Sequence, residues 1–335
     1  MMKLLQWRYR LLLLPVTLWL SIGSAQADVT CTASMNSNTV NISNTITPTN
    51  ANNASITGTL TYRCINNEPV SRYASVCLGV GSSGSDNTIS NPRYITGPDS
   101  SKLAFAMTLP NGTLWGDGRD SVYQTPALLV PPNTTVTDSV VIKFSLLPGF
   151  GNTLATHGIY SSDFSVNQKI LIYQSDVEQT PFGCETGVYE QNQFPFKVQA
   201  TVVNACKINT TSDILLGSHP ASTTNFTGSN NEAINMTCTN GALYNIGLAP
   251  SNGDINGQGV MTDTASKTYK LPYQLLSNPT GTIWGNNGNT YATLTNGVIG
   301  TGNGNAQTHT VYVTVPSADV KPGSYSDTVT INVNY

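Results

Sequence analysis

The chain has 335 residues, of which only 10% are charged, against roughly 25% in an average soluble protein, and Thr, Asn, Ser and Gly take the place of the missing charges. Its net charge is −3; without the basic residues Lys3, Arg8 and Arg10 of the first 27, 12 Lys and Arg face 18 Asp and Glu, a balance of −6. That excludes a nucleic-acid partner, which calls for a basic stripe, while a hydrophobic content of 39% suffices for two cores.

The three basic residues precede the apolar run Leu11 to Ile22 and then Ala25-Gln26-Ala27, the layout of a cleaved secretory signal over residues 1–27. The apolar run is shorter than the ~20 residues of a spanning helix. The mature chain is therefore expected to begin at Asp28 and to be exported. Its six cysteines, Cys31, Cys64, Cys77, Cys184, Cys206 and Cys238, form no CxxC pair, which favours disulfides made in an oxidising compartment over zinc or redox chemistry.

Along the chain, short alternating segments rich in Thr and Val are separated by Gly, Asn and Pro turns, and capped helical periodicity is missing. Cys31 and Cys64 are 33 apart and Cys206 and Cys238 are 32 apart. Trp115-Gly-Asp-Gly then parallels Trp284-Gly-Asn-Asn, and Gly158-Ile-Tyr-Ser parallels Gly323-Ser-Tyr-Ser. This internal repeat predicts two all-β sandwich domains, at 28–193 and 204–335. Between them, residues 194–203 alternate Phe194, Phe196, Val198, Ala200 and Val202 with polar neighbours, a linker strand with one buried face.

No constellation of titratable groups suggests an enzyme. His157, His219 and His309 are scattered, and the segment around His157 aligns with one that has no histidine. Gly79-Val-Gly-Ser-Ser-Gly84 has the letters of a dinucleotide fingerprint but no amphipathic helix after it, and Asp117 and Asp120 lack the spacing of a calcium loop. No metal or cofactor site is expected. Trp115 and Trp284 recur in both copies, so packing explains them better than binding.

The second copy resembles the spore coat protein U family in Cys238-Thr-Asn-Gly-Ala-Leu-Tyr-Asn-Ile-Gly-Leu248, Leu271-Pro-Tyr-Gln-Leu275, Ile283-Trp-Gly285, Val311-Tyr312 and Pro322-Gly-Ser-Tyr-Ser-Asp-Thr-Val329. Members of that family include subunits of archaic (Csu-type) chaperone-usher pili. The first copy keeps the cysteine spacing and the Trp and Gly-x-Tyr-Ser segments, with an extra cysteine pair, Cys77 and Cys184, and longer insertions.

The resemblance implies incomplete immunoglobulin-like folds, finished by a strand that first a periplasmic chaperone and then an adjacent subunit supplies, with an outer-membrane usher as assembly partner. Val329, Ile331, Val333 and Tyr335 are then expected to contact the chaperone or donor strand. Only three residues separate the expected cleavage site from Cys31, too few for a donor segment, which points to a subunit at the tip of the pilus on the cell surface. Residues 194–203 are expected to complete the first domain in cis.

Counting strands places three loops at the distal pole of the first domain: 65–75, 110–134 and 175–189. Pro69, Val70 and Tyr73, then Leu128, Leu129, Val130, Pro131 and Pro132, then Pro181 and Phe182 become the expected contacts with an abiotic or host surface, supporting biofilm formation. A bond between Cys77 and Cys184 would staple two of these loops. Leu128 to Val130 read equally well as a core strand, by analogy with Val298-Ile299, whereas Leu147, Pro148 and Phe150 fall at the domain interface, where burial is expected. The competing functions are a lectin pocket around Trp115, Asp117 and Asp120, and a structural shaft or coat subunit.

Overall fold

The computed structural model describes residues 29–82, 92–117, 121–165, 168–175, 188–191 and 194–335, and among them there is no α-helix. The first half holds β1 (Val29–Met35), β2 (Thr39–Asn41), β3 (Ser55–Asn66), β4 (Arg72–Val80), β5 (Arg93–Thr96), β6 (Lys102–Thr108), β7 (Tyr123–Gln124), β8 (Leu128–Val130), β9 (Thr134–Leu146), β10 (Gly158–Asp163), β11 (Gln168–Ser175), β12 (Val188–Gln191) and β13 (Lys197–Val202). The second half holds β14 (Cys206–Thr211), β15 (Thr224–Cys238), β16 (Leu243–Pro250), β17 (Gln258–Asp263), β18 (Lys270–Leu276), β19 (Val298–Thr301), β20 (Ala306–Ser317), β21 (Tyr325–Ser326) and β22 (Val329–Asn334).

Alternation of side chains decides which face each strand buries. In β9, Val140, Ile142, Phe144 and Leu146 are buried while Val141 and Lys143 point to water. In the first sandwich one sheet runs β1-β3-β9-β6-β5-β10-β13-β2, and it faces a second sheet β12-β11-β4-β7, with β8 also paired to β4. The second sandwich packs β14-β15-β20-β18-β17-β21 against β19-β16-β22. Each has its own hydrophobic core. Disulfides Cys31–Cys64 and Cys206–Cys238 join directly opposed residues of the first strand pair in each.

The repeat extends to individual hydrogen bonds. The indole nitrogen of Trp115 donates to the Leu78 carbonyl at 2.9 Å, and that of Trp284 to the Ile246 carbonyl at 2.7 Å. Tyr160 donates its hydroxyl to the Thr156 carbonyl at 2.8 Å, and Tyr325 does the same to Lys321 at 2.6 Å. Both tryptophans are buried, because each ring fills its own core and its one polar atom has a backbone partner.

The two sandwiches differ at their last strand. In the first, β12 lies antiparallel to β11 and β13 antiparallel to β10, with β2 parallel on the other side of β13. Phe194, Phe196, Val198, Ala200 and Val202 are all buried, and Phe196 stacks on Trp115 and Phe164 with ring centroids 6.1 and 5.1 Å apart. In the second, β22 pairs with β16 on one edge, and among the described residues no strand pairs with the other.

Only Val203 to Ala205 separate β13 from β14. Thr239 bridges this link, donating its hydroxyl to the Val203 carbonyl at 2.9 Å while its backbone N–H donates to the Ala205 carbonyl at 2.9 Å. Beside it, the Asn240 side chain donates to the Leu154 carbonyl at 2.8 Å. Gly304, at φ +76°, passes so close to the first sandwich that a Cβ would stand 2.4 Å from the Thr153 carbonyl oxygen. The loop that meets them is tied to its own core by Asn152, which accepts from the Ala104 N–H at 2.7 Å and reaches the carbonyls of Ala51, Ala104 and Leu147.

This arrangement corrects the expectation for Leu147, Pro148 and Phe150. Leu147 is half-buried, and Pro148 and Phe150 are exposed, because the backbone of Thr153 and Leu154, rather than those side chains, faces the second sandwich.

Within the second sandwich the Nε2 atom of His309 lies 3.2 Å from the Tyr244 hydroxyl, and burial holds the imidazole below the ordinary histidine range. The folded state therefore binds a proton less readily than the unfolded chain, whose histidines titrate near ~6.5. Stability is fully present above that pH and is lost as pH falls through the lower folded value. Chemical denaturation between pH 7.5 and 5 should show the second sandwich weakening on acidification, and His309→Gln should flatten that dependence.

Candidate functional site

Two features lie outside the closed cores: an apolar pole on the first sandwich and the open edge of the second. The pole follows from β3 and β9, which pair along their whole length from Ser55 opposite Ser145 to Asn66 opposite Thr134. The Ser145 end adjoins the loop that meets the second sandwich, so the Asn66–Thr134 end is the far one.

Asn66, fully buried, organises that end. Its side-chain N–H groups donate to the Val70 carbonyl at 2.8 Å and the Val130 carbonyl at 3.0 Å, and its oxygen accepts from the Glu68 N–H at 2.9 Å. The Asn133 N–H closes the pair of turns onto the Glu68 carbonyl at 3.1 Å, and Arg72 and Glu68 form an ion pair at 3.3 Å. Beneath them β4 and β8 set Tyr73 opposite Leu129.

The expected contact residues divide by this geometry. Val70 and Leu129 are each 48% exposed, Pro69 and Pro132 are exposed, and Tyr73 and Pro131 are half-buried. Val130 is 0% exposed and Leu128 packs against the core, which corrects their assignment to the surface. The reason is the strand itself: β8 alternates, so Leu129 points out only because its neighbours point in. Val298 and Ile299 of β19 repeat the arrangement, half-buried against the core and exposed.

Pro181, Phe182 and Cys184 lie outside the described residues, and with them most of the third loop; Cys77 is oxidised. Among the described residues of the loop 110–134, the end near Pro131 reaches the pole and the turn at its start does not. The turn Leu109 to Thr113 follows Thr108, which stands opposite Lys143, well along β9 from Thr134.

Sequence reasoning passed over Asn66. The signal was present: Asn66 is the second residue after Cys64, as Asn240 is the second after Cys238. One holds the free pole together and the other grips the first sandwich, so the two ends are equivalent parts of the repeat.

The pocket expected around Trp115 does not form a sugar platform. Trp115 is buried, and Phe194 and Phe196 stack on its ring at 6.0 and 6.1 Å. Asp117 is half-buried and Asp120 lies outside the described residues. Among the described residues no group of three His, Cys, Asp or Glu is placed to hold a metal ion.

At the open edge, Val329, Ile331 and Val333 of β22 are half-buried against the second core, and Tyr335 is exposed. Ile214 and Leu216, Phe226, Val320 and Tyr325 are likewise half-buried there. Their counterparts beside β13 of the first sandwich, including Val40, Ile42, Ala155, Tyr160 and Phe164, are fully covered. An apolar row left half-covered beside unpaired backbone groups is the shape of a sheet waiting for one more strand.

Fold and site together define an all-β protein of two immunoglobulin-like sandwiches, one closed by its own last strand and one open. Residues 192–332 match the family model of the Spore Coat Protein U domain. Among solved structures, the CsuC–CsuE chaperone–tip adhesion subunit pre-assembly complex from archaic chaperone-usher Csu pili of Acinetobacter baumannii is similar at a TM-score of 0.53 and 17% identity, over 91% of this chain and 100% of that one. The CupB6 tip adhesin of Pseudomonas aeruginosa matches at a TM-score of 0.34 and 11% identity, over 91% and 95%. CfaE, the adhesive subunit of CFA/I fimbria of enterotoxigenic Escherichia coli, matches at 0.31 and 10%, over 89% and 92%. The last two overlays are too loose to bear on function. No curated protein matches in sequence.

Proposed function

We propose that this chain is the adhesive tip subunit of an archaic, Csu-type chaperone-usher pilus, exported through the periplasm, and that it attaches cells to abiotic or host surfaces and so seeds biofilm. The observation that carries this reading is the contrast between the two sandwiches: in the first, β12 pairs with the far edge of β11 and β13 with that of β10, and the second has a half-covered apolar row along the free edge of β22. An edge of that kind takes a strand from outside, first from a periplasmic chaperone and then from the adjacent subunit delivered at the outer-membrane usher.

The closed sandwich is left free to bind. Its far pole offers Pro69, Val70, Leu129 and Pro132 around the half-buried Tyr73 and Pro131, on turns that Asn66 holds in place. Apolar side chains there lose water-exposed area on contact at roughly 25 cal/mol per Å², and prolines lower the entropy lost on docking. Pro181 and Phe182 belong to this surface in the same proposal, as does a bond between Cys77 and Cys184 that would tie their loop to β4.

Such a pole favours apolar surfaces with little chemical selectivity. Replacing Val70 and Leu129 together by asparagine should reduce attachment to hydrophobic plastic to the level of cells without pili, with the number of pili unchanged on electron micrographs. Attachment at the original level would overturn the pole as the binding surface. The covered ring of Trp115 counts against a lectin pocket at that position, and no chemistry described above favours an enzyme.

A further inference from the structure

We infer that Asn256, which precedes Gly257, is a site of spontaneous covalent modification: the Gly257 nitrogen closes on the Asn256 side chain, ammonia leaves, and the turn acquires isoaspartate and aspartate in place of asparagine. The step consumes only water. It depends neither on the pilus reading nor on the open edge.

The chain holds seven Asn-Gly pairs, beginning at Asn111, Asn240, Asn252, Asn256, Asn287, Asn296 and Asn303. A glycine has no side chain to shield its backbone nitrogen, so by sequence all seven are equal candidates. The structure separates them. In four the glycine N–H is already committed: Gly112 donates to the Leu109 carbonyl, Gly241 to that of Gly302 and Gly253 to that of Pro250, each at 2.9 Å, and Gly304 to that of Cys238 at 3.2 Å. In two more the side-chain amide is held at both ends. Asn287 donates to Thr295 Oγ1 at 2.7 Å and accepts from the Thr295 N–H at 2.9 Å, while Asn296 donates to the Ile255 carbonyl at 2.8 Å and accepts from the Asn287 N–H at 3.1 Å. Asn256 differs from all six. Its side chain is exposed, and among the described residues neither its amide nor the Gly257 N–H has a hydrogen-bond partner.

The peptide group that reacts is also polarised. Gln274 donates its side-chain N–H to the Asn256 carbonyl at 2.8 Å, on the peptide unit whose nitrogen belongs to Gly257. Loss of the N–H proton moves negative charge onto that oxygen, so a donor placed there stabilises the anion that attacks. Asp254 accepts from the N–H groups of Asn256 at 2.7 Å and Gln258 at 2.9 Å, which fixes the turn on either side of Gly257. Gly257 itself is buried, with φ +72°, and a Cβ on it would stand 2.1 Å from the Trp284 carbonyl oxygen. A buried N–H without a partner is at a disadvantage from the start, and it gives up no hydrogen bond when its proton leaves. The attack forms the bond from the Gly257 nitrogen to Asn256 Cγ and breaks that from Cγ to Nδ2, with the proton passing through water to the departing ammonia. Water then opens the cyclic imide at one carbonyl or the other, giving aspartate or isoaspartate.

The test incubates the full mature chain, folded, at neutral and mildly alkaline pH beside the same chain reduced and unfolded in guanidinium. Products are located by peptide mass mapping and enzymatic isoaspartyl labelling. In the unfolded chain all seven pairs should react at similar rates. Folding should slow six of them by roughly tenfold or more, since hydrogen bonds must be released before the attack, and should leave Asn256 the fastest. Gln274→Met and Gln274→Leu, which remove the donor without adding charge, should slow Asn256 in the folded chain and not in the unfolded one, whereas a turn merely loosened by the change would react faster. Another pair reacting as fast as Asn256 in the folded chain, or Asn256 slowed by folding as much as the rest, overturns the site. An unchanged or faster reaction in either Gln274 variant overturns the polarising role of Gln274.

Discussion

Phe196→Ala is expected to destabilise the first sandwich by about 3–5 kcal/mol, the range for deleting a buried ring where the surroundings cannot collapse. The side chain is 2% exposed and lies among Trp115, Phe164 and Phe144, the last at 6.2 Å between centroids. Its removal opens a cavity between β13 and the rest of the core and withdraws the stack that holds the last strand in place. The strand also carries Val198, Ala200 and Val202, so loosening it exposes the edge of β10. Urea unfolding followed by Trp115 fluorescence measures the loss, with Trp284→Phe as background so that only one sandwich reports. Followed instead by Trp284 fluorescence with Trp115→Phe as background, Val329→Ala in the second sandwich should cost well under half as much, because Val329 is already half-exposed. Equal losses at the two positions would contradict the contrast between a closed and an open sandwich.

Asn152→Ala is the second change expected to be severe. The side chain is 1% exposed and satisfies the Ala104 N–H and the carbonyls of Ala51, Ala104 and Leu147 at once. Each buried backbone group stranded by its loss costs about 1–3 kcal/mol, so more than about 3 kcal/mol is expected for the set. The effect should not stop at stability. Asn152 fixes the loop whose next two residues face Gly304 and Asn240, so the variant should also widen the distribution of distances between spin labels on the two sandwiches. Asn152→Asp, which keeps the acceptor for Ala104 but turns a second oxygen toward the carbonyls, should rescue neither property. A narrow distance distribution in Asn152→Ala would show that the link through Thr239 alone holds the sandwiches in register.

The two predictions concern one mechanical design. In the proposed role, with the subunit pulled from its far pole and held at its open edge, load would pass through β13, the three residues after it and the loop from Asn152 to Thr156. Each of these is anchored by buried groups rather than by surface ion pairs, which are worth little. The ion pair at the pole, Arg72–Glu68, stiffens a turn that Asn66 already defines.

Sequence alone determined the strand-rich character, the two copies and the role of residues 194–203 as a strand with one buried face. These are local or periodic properties: alternation at 194–202 follows from the two-residue repeat of a strand, and the Cys, Trp and Gly-x-Tyr-Ser spacings recur because the same sandwich is built twice. It also placed Val329, Ile331 and Val333 on one face of the final strand. Tertiary structure alone decided which of three adjacent apolar residues in β8 faces water, since alternation leaves two phases open until Tyr73 pairs with Leu129 and selects one. It decided that Phe150 lies in solvent while the backbone of Thr153 and Leu154 forms the junction, because a loop's path is set by what ties it down, here Asn152. And it decided that Asn66, an ordinary polar residue in sequence, joins two turns separated by more than sixty positions, a pairing that exists only once β3 and β9 have brought those turns to the same end of the sandwich.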